Sequence, residues 1–253
     1  MDYQETLQRI TARKAELDRQ RPLPPAVAAK LKEYFDVEWT YHSNAIEGSS
    51  ITLAETKVIL AHGLTVEGKP LREHLEVINH KHAIDLVEAL AAGQEPLTEH
   101  TIRQIHALIL RTINDEETGR YRRVSVRITG SNYVPPIPSA VPPLMRDFGL
   151  WLNSQEAQAL HPVELAALAH FRLVDIHPFV DGNGRTARLL MNLILLSSGY
   201  PLAVIRNEDR SRYYDLLEKA HRGETAEFVA FITQAVDRTL DIYLASFPQE
   251  EAS

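Results

Sequence analysis

Apolar residues recur at helical spacing over most of this 253-residue chain. Between Ala26 and Ile46, Leu31, Phe35 and Trp39 follow one another in four-residue steps, which places them on one face of a helix. Similar spacing, with proline, glycine or capping residues at the ends, predicts the other helices. These cover residues 1–21, 52–62, 71–90, 98 to before 115, 141 or 144 to 152, 163–174, 185–196, 210–220 and 226–244.

One segment has a different period. From Arg123 to Thr129 polar and apolar residues alternate, which is typical of a strand. The turn sequence 130–132 and the short apolar stretch Tyr133-Val134 complete a predicted hairpin, which Pro135-Pro136 ends. The expected fold class is therefore all-α with one small β-hairpin, at about residues 122–136.

Composition narrows the possible classes of protein. The net charge is −7 with scattered basic residues, so we expect no nucleic-acid partner. There is no cysteine, which excludes disulfides and thiolate zinc sites. No apolar run has the length of a membrane span, and the first residues lack the features of a signal peptide. These observations predict a cytoplasmic protein without membrane contact.

The segment from His177 to Arg188 carries the candidate chemistry. Arg185 and Arg188 fall in the first turn of a helix that is apolar all round. A helix N-terminus already has a partial positive charge, so two cations there favour a bound anion. Because the two arginines are three residues apart, we expect them to point to one side and grip successive phosphates.

The preceding turn supplies the rest of a phosphate site. Gly182 and Gly184 allow close approach to backbone N–H groups, and Asn183 between them adds a side-chain amide. Asp181 offers a hard oxygen ligand for a magnesium ion that bridges phosphates. His177 can take a proton near neutral pH and so deprotonate an attacking hydroxyl.

This segment resembles the signature of Fic-domain proteins, His-Pro-Phe-x-Asp/Glu-Gly-Asn-Gly-Arg-x-x-Arg, with every fixed position filled. The resemblance extends over roughly residues 35–245. It implies the mostly helical Fic fold, with the hairpin as a flap over the nucleotide site. It also implies a Mg²⁺-dependent protein adenylyltransferase, which moves AMP from ATP to a Ser, Thr or Tyr hydroxyl of a protein.

The resemblance also implies individual roles. His177 is expected to be the base, Asp181 the Mg²⁺ ligand, Arg185 the β-phosphate ligand and Arg188 the γ-phosphate ligand. The α-phosphate is expected in a cradle formed by Gly182, Asn183 and Gly184. Tyr213 and Tyr214 are expected near the adenine. Close relatives often have asparagine where this chain has His221, so the base preference stays open.

A second stretch, Ser43-Asn44-Ala45-Ile46-Glu47-Gly48, resembles the inhibitory motif Ser/Thr-x-x-x-Glu-Gly/Asn of some Fic proteins. In that resemblance Glu47 pairs with Arg188 and obstructs the γ-phosphate, with Ser43 as part of the motif. The implied division is an N-terminal helical extension over residues 1–95, a catalytic core over 96–245 and a tail over 246–253. Removal of AMP from a target, and a homodimer, are further implications.

Other functions remain open at the level of sequence. The same fold can transfer UMP, phosphate or phosphocholine, and a non-catalytic module that senses nucleotide would retain the phosphate loop. The target protein is unknown, and the protein itself is one candidate.

Overall fold

The computed structural model of the chain describes residues 3–93 and 96–247. The described part is helical, as the sequence predicts, and the all-α class is confirmed. The helices are α1 (Tyr3–Arg19), α2 (Pro25–Ile46), α3 (Leu53–His62), α4 (Leu71–Gly93), α5 (Glu99–Leu110), α6 (Val141–Leu152), α7 (Gln155–Gln158), α8 (Pro162–Ile176), α9 (Asn183–Ser197), α10 (Arg210–Ala220) and α11 (Ala226–Ala245). Short 3₁₀ turns form at Pro138–Ala140 and Asn207–Asp209.

Helix α9 is the centre of the fold. It packs against α8, α4 and α5, and its residues from Asn183 to Leu195 are almost all buried. The reason is visible in the sequence, since α9 has no polar face after its first turn. On the α8 side, α11 and α6 cover α8, and α1 packs on α11. The start of α9, which carries the two arginines of the signature, is therefore held on a rigid core.

The N-terminal helices α2 and α4 also pack against α9. Leu31, Phe35 and Trp39 of α2 share one buried cluster with Ile105 of α5 and Leu189 of α9, among others. Helix α4 contributes to the same cluster. This packing fixes the axis of α2, so that its last turn ends beside the first turn of α9.

The predicted hairpin is wrong. No strand forms in residues 3–93 and 96–247, and the segment from Arg123 to Val134 has a single backbone–backbone hydrogen bond, Ser131 N to Ile128 O at 3.2 Å. A lone two-stranded hairpin is only marginally stable. Here a side chain takes over the holding role, because the Arg122 guanidinium donates to the carbonyls of Val124 and Pro136.

Two sequence predictions fall partly outside the described residues. These are the boundary between residues 95 and 96, which adjoins residues 94–95, and most of the tail at 246–253. Among the helices that the structure does describe, none combines the length and the apolarity needed to cross a bilayer.

Candidate active site

The turn between α8 and α9 is shaped by backbone conformation and by one side chain. His177 ends α8 in the left-handed region, at φ 49° and ψ 59°, and its N–H donates to Leu173 O at 2.9 Å. Gly182, at φ 78°, is the N-cap residue that precedes α9. The Asn183 side chain accepts from Phe179 N and donates to Phe179 O, both at 2.9 Å. The amide that was expected to face a phosphate is therefore used to close the loop.

Two further residues that the sequence did not single out hold this turn. Arg122 N donates to Pro178 O at 2.9 Å, and Arg122 Nε donates to His177 O at 2.8 Å. His106 stacks flat on Phe179, with 3.6 Å between ring centroids. Its Nδ1 accepts from Gly119 N at 3.0 Å, so Nε2 carries the hydrogen and donates to the Asp181 carbonyl at 3.0 Å.

His106 could have been found from the sequence, because it lies on the apolar face of α5 beside Ile102, Ile105 and Ile109. A buried histidine needs hydrogen-bond partners, and here the signature loop supplies one of them. Burial lowers the pKa of His106 to about 4, so its imidazole is neutral at neutral pH.

His177 is also neutral at neutral pH. Its pKa is lowered to about 4, mainly because the side chain is buried. The nearby backbone of Val174 raises the pKa, and the charge of Arg122 lowers it. Its Nδ1 atom is buried, and no atom of the described residues is placed to form a hydrogen bond with it. A neutral imidazole at the mouth of the loop has the protonation state that a general base requires.

Arg188 and the end of α2 form the strongest electrostatic contact of the site. Arg188 Nη2 lies 2.6 Å from Glu47 Oε1 and donates to Ser43 O at 2.8 Å, while Nε donates to Ser43 Oγ at 3.0 Å. The arginine side chain is 3% exposed and the glutamate side chain 36%. Burial disfavours the charged guanidinium, but the Glu47 carboxylate outweighs it and raises the pKa of Arg188.

The carboxylate of Glu47 also sits directly over the glycine turn. A Cβ atom placed on Gly184 would lie 2.5 Å from Glu47 Oε1 and 3.0 Å from Arg188 Nη1. An anionic group thus lies beside the N-terminus of α9 and a buried cation.

The two tyrosines lie on the same side of Arg188. Tyr213 is buried, and its hydroxyl lies 3.0 Å from His170 Nε2 and accepts from Arg188 Nη1 at 3.5 Å. Tyr214 donates to Ile46 O at 3.3 Å. Both rings border the site, and their hydroxyls tie α10 to Arg188 and to the end of α2. Burial lowers the pKa of His170 to about 3, which keeps the partner of Tyr213 neutral.

Asp181 and Arg185 form a separate cluster. Asp181 Oδ2 accepts from Arg72 Nη2 at 2.8 Å, and Oδ1 accepts from Gly182 N at 2.6 Å. Arg185 lies 3.4 Å from Asp181 Oδ1 and 3.4 Å from Glu76 Oε1, and its Nε is buried without a hydrogen-bond partner in the described residues. The two arginines of the signature therefore contact different acids, instead of forming the single clamp that their spacing suggested.

Burial tends to raise the pKa of Asp181, but the Arg185 charge and the Gly182 N–H outweigh it, so the pKa is lowered and the carboxylate is ionised. Such an oxygen suits Mg²⁺, which usually takes one or two protein carboxylates and completes its shell with phosphates and water. Within the described residues no group of three or more His, Cys, Asp or Glu side chains is arranged to hold a metal. Asp181 fits a metal that arrives with phosphates.

A cavity of about 560 Å³ opens beside Glu47, His177 and Arg188. Its volume is within the range of small-molecule sites. It is lined by Glu47, Ile128, Thr129, Gly130, Ser131, Val174, His177, Gly184, Arg188, Arg210, Ser211, Tyr213, Tyr214, Asp215, Leu217, Glu218 and His221. The structure thus brings Glu47, His177, Gly184, Arg188 and both tyrosines to one cavity. Asp181 and Arg185 are not among its lining residues.

Another part of the cavity wall is built around His221. Its Nδ1 donates to Asp175 Oδ1 at 2.8 Å, and Tyr133 stacks on it with 3.7 Å between ring centroids. The Tyr133 hydroxyl donates to Asp175 O at 2.9 Å, and Ser131 hydrogen-bonds Glu218. The segment that fails to form a hairpin is nevertheless held over the cavity, by side chains.

Comparisons with known proteins identify the relatives of this chain. Residues 96–195 match the model of the Fic/DOC family. A protein adenylyltransferase Fic from Nematostella vectensis is 43% identical over 223 residues, which are 88% of this chain and 51% of the relative. The protein of the same name from Drosophila melanogaster is 42% identical over 225 residues, which are 88% of this chain and 45% of the relative. The chain spans about half the length of these curated relatives.

Solved structures of Fic proteins superpose on almost the whole chain. Fic-1 (residues 134–508) from C. elegans superposes with a TM-score of 0.88 at 31% identity, covering 96% of this chain and 72% of that one. A Fic domain containing signaling protein from Bacteroides thetaiotaomicron gives a TM-score of 0.86 at 31% identity, covering 95% and 97%. With its helical architecture and its complete signature loop, this chain belongs to the Fic/DOC family.

Proposed function

We propose that this protein is a protein adenylyltransferase, which transfers AMP from ATP to a hydroxyl of a protein and is restrained by its own Glu47. The observation that carries the proposal is the Glu47 carboxylate, 2.6 Å from Arg188 and lying over Gly184. A carboxylate that pairs with a buried guanidinium beside the start of a helix marks an anion site. The names of the curated relatives support AMP transfer as the reaction served by that site.

In the proposed reaction the target hydroxyl oxygen attacks the α-phosphorus of ATP. The bond from that phosphorus to the bridging oxygen of the β-phosphate breaks, pyrophosphate leaves, and the target carries an AMP ester. His177, neutral because of its burial, takes the proton of the attacking hydroxyl. The N–H groups of Gly182, Asn183 and Gly184 stabilise charge on the transferred group.

Cations share the remaining phosphate charge. We propose that Arg185 holds the β-phosphate and Arg188 the γ-phosphate, although the two now contact different acids. Asp181 would hold Mg²⁺, which supplies charge neutralisation and orientation when bound with the nucleotide. Arg72 keeps the Asp181 side chain in place until then. Tyr213 and Tyr214 border the cavity in which the nucleoside would lie.

The restraint is part of the same proposal. Glu47 and the γ-phosphate compete for Arg188, so ATP would bind in a geometry unfit for transfer while the ion pair persists. Ser43 is a positioning residue, because its carbonyl and hydroxyl both accept from Arg188. The division at residues 95/96, a homodimer, a cytoplasmic setting and the hydrolytic removal of AMP belong to this proposal as secondary elements.

The test is mass spectrometry of the purified protein and of a cell lysate, incubated with ATP and Mg²⁺. We expect the Glu47→Gly variant to label itself or a lysate protein with AMP far more than the wild type does. The double variant Glu47→Gly/His177→Ala should bind ATP but transfer nothing. The matched control is Glu33→Gly. Glu33 lies on α2 and pairs with exposed Lys57 instead of Arg188, so this variant should behave as wild type.

The added mass decides among the remaining reactions of this fold. An added mass of one AMP supports the proposal. The protein would also be incubated with donors of UMP, phosphate and phosphocholine, and transfer of one of these groups would replace AMP transfer as the reaction. If Glu47→Gly binds ATP and labels nothing, the protein is a nucleotide-sensing module and the proposed transfer is wrong.

A further inference from the structure

Two arginines, one at the start of α4 and one at the start of α9, share the same two acids. Arg72 Nε donates to Glu76 Oε1 at 3.1 Å, and Arg72 Nη2 donates to Asp181 Oδ2 at 2.8 Å. Arg185 lies 3.4 Å from Glu76 Oε1 and 3.4 Å from Asp181 Oδ1. We call these four residues the charge ring. It places two cations beside the N-terminus of α9, which already has a partial positive charge.

The two arginines of the charge ring have unused hydrogen-bond donors. The Arg185 side chain is 3% exposed, and its Nε and Nη1 form no hydrogen bond with any described residue. Arg72 Nη1 likewise has no hydrogen-bond partner in residues 3–93 and 96–247. Buried N–H groups of a charged side chain are unfavourable when they stay unpaired, so we expect a further acceptor at the charge ring.

Arg72 is placed to exchange one anion for another. Its bond to Glu76, four residues along the same face of α4, uses Nε and anchors the guanidinium. The two Nη atoms can then take two oxygens of one phosphate, as the planar fork of an arginine does. The Arg72 side chain is 59% exposed and that of Asp181 43%. An ion pair between such exposed groups is weak, so its replacement by a phosphate contact is readily reversible.

The role proposed for Asp181 changes the charge balance of the ring. A carboxylate that binds Mg²⁺ no longer fully compensates a neighbouring guanidinium. Glu76 is then the remaining acid of the ring for two arginines. Such an excess of positive charge favours an anion, and the β- and γ-phosphates are the anions that arrive with the metal.

We infer that Arg72 is a further phosphate-binding residue of this protein, which leaves Asp181 and joins Arg185 on the pyrophosphate part of the nucleotide. The ligand class is a di- or triphosphate, and a monophosphate such as AMP is too short to gain from Arg72. This inference deepens the proposed function and rests on it in naming ATP as the ligand. Pyrophosphate is the leaving group, so a second arginine on it stabilises the charge that develops as the bond to the α-phosphorus breaks.

The experiment measures binding of inorganic pyrophosphate and of AMP by isothermal titration calorimetry, and it requires no transfer. Every protein carries Glu47→Gly, which frees Arg188, and Asp181→Asn, which removes the charged partner of Arg72. The buffer contains EDTA, so no divalent metal contributes. We expect Arg72→Gln to weaken pyrophosphate binding about five- to tenfold, the effect of one charge-assisted contact at an exposed site. AMP binding should change by less than about twofold.

Matched variants separate this contact from a general loss of charge. Arg9→Gln removes another exposed arginine, which pairs with Asp237 between α1 and α11, and should change pyrophosphate binding by less than about twofold. Arg72→Lys keeps the charge without the planar fork, so it should recover part of the affinity. With Asp181 restored and Mg²⁺ added, Arg72→Gln should still bind pyrophosphate more weakly than its parent.

Unchanged pyrophosphate binding in Arg72→Gln, in the Asp181→Asn background, overturns the inference, because Arg72 then acts only by holding Asp181. Tighter binding in Arg72→Gln with Asp181 and Mg²⁺ present also overturns it, because Arg72 then competes with the metal. So does an equal loss of affinity for AMP. If Arg72 contributes to pyrophosphate binding but Glu47→Gly transfers nothing, the phosphate contact stands and the proposed reaction fails.

Discussion

Replacement of Glu47 by glutamine isolates the charge of the ion pair with Arg188, because the two side chains have nearly the same volume. The guanidinium is 3% exposed and would lose a charge-assisted contact of 2.6 Å. It would keep the Ser43 carbonyl, the Ser43 hydroxyl and the Tyr213 hydroxyl as acceptors. A buried cation would thus be left with neutral partners only.

The magnitude follows from the unequal burial of the two groups. Exposed ion pairs contribute about 0.2–1 kcal/mol, whereas removal of one partner from a fully buried pair costs about 3–5 kcal/mol. Glu47 is 36% exposed, so solvent screens the contact, and three other acceptors remain on Arg188. We therefore expect Glu47→Gln to lower the free energy of unfolding by about 1–2 kcal/mol.

Added nucleotide should narrow the difference in stability between Glu47→Gln and wild type. A ligand that binds only the folded state stabilises it by RT ln(1 + [L]/Kd). Wild-type Arg188 is already occupied by Glu47, and the variant offers it free to the γ-phosphate. At equal ATP and Mg²⁺, the gain in unfolding free energy should be larger in Glu47→Gln by about 1 kcal/mol, a roughly fivefold tighter Kd.

The assay is urea unfolding followed by circular dichroism, with and without ATP and Mg²⁺. Glu33→Gln, which breaks the exposed pair between α2 and Lys57 of α3, should stay within about 0.5 kcal/mol of wild type in both conditions. A Glu47→Gln protein as stable as wild type without ATP, or stabilised by ATP to the same extent, would refute the competition between Glu47 and the γ-phosphate.

Three other changes test the site. Gly182→Ala places a Cβ 3.2 Å from Ile109 at φ 78°, so it should lower the free energy of unfolding in urea by about 1–3 kcal/mol. The control Gly223→Ala is also at positive φ but in open space, and should lower it by about 1 kcal/mol. Equal losses would contradict the close packing of the loop. Asp181→Asn should raise the Mg²⁺ concentration needed for half-maximal labelling at least about tenfold in the Glu47→Gly background, and an unchanged requirement would remove Asp181 as the ligand. The pKa of His170 is about 3 when folded, so the unfolded chain binds its proton first as pH falls below about 6.5, and stability is lost. The advantage of wild type over His170→Gln should then shrink by about 2 kcal/mol between about pH 7 and about pH 5, and a constant difference would show that His170 is not buried neutral.

Sequence reasoning succeeded where a signal is local. The periodicity of α2 gives its course to within a residue at each end, and the apolar run after Arg188 gives the central α9. It failed at the flap, because the alternation from Arg123 to Thr129 fits a strand only if a partner strand pairs with it. In the structure Arg122 binds His177 and Tyr133 stacks on His221, and these contacts hold the segment instead.

The sequence by itself determined the helices, the family signature and the pair of segments, Ser43 to Gly48 and His177 to Arg188, that carry opposite charges. Each depends on residues that are neighbours in the chain, so spacing is enough to recognise it. Only the tertiary structure decided that Arg185 lies beside Glu76 of α4, because the packing of α4 against α9 brings that acid next to the cation. The contact of His106 with the Asp181 carbonyl likewise joins residues 75 positions apart, a distance in the chain that no local pattern records.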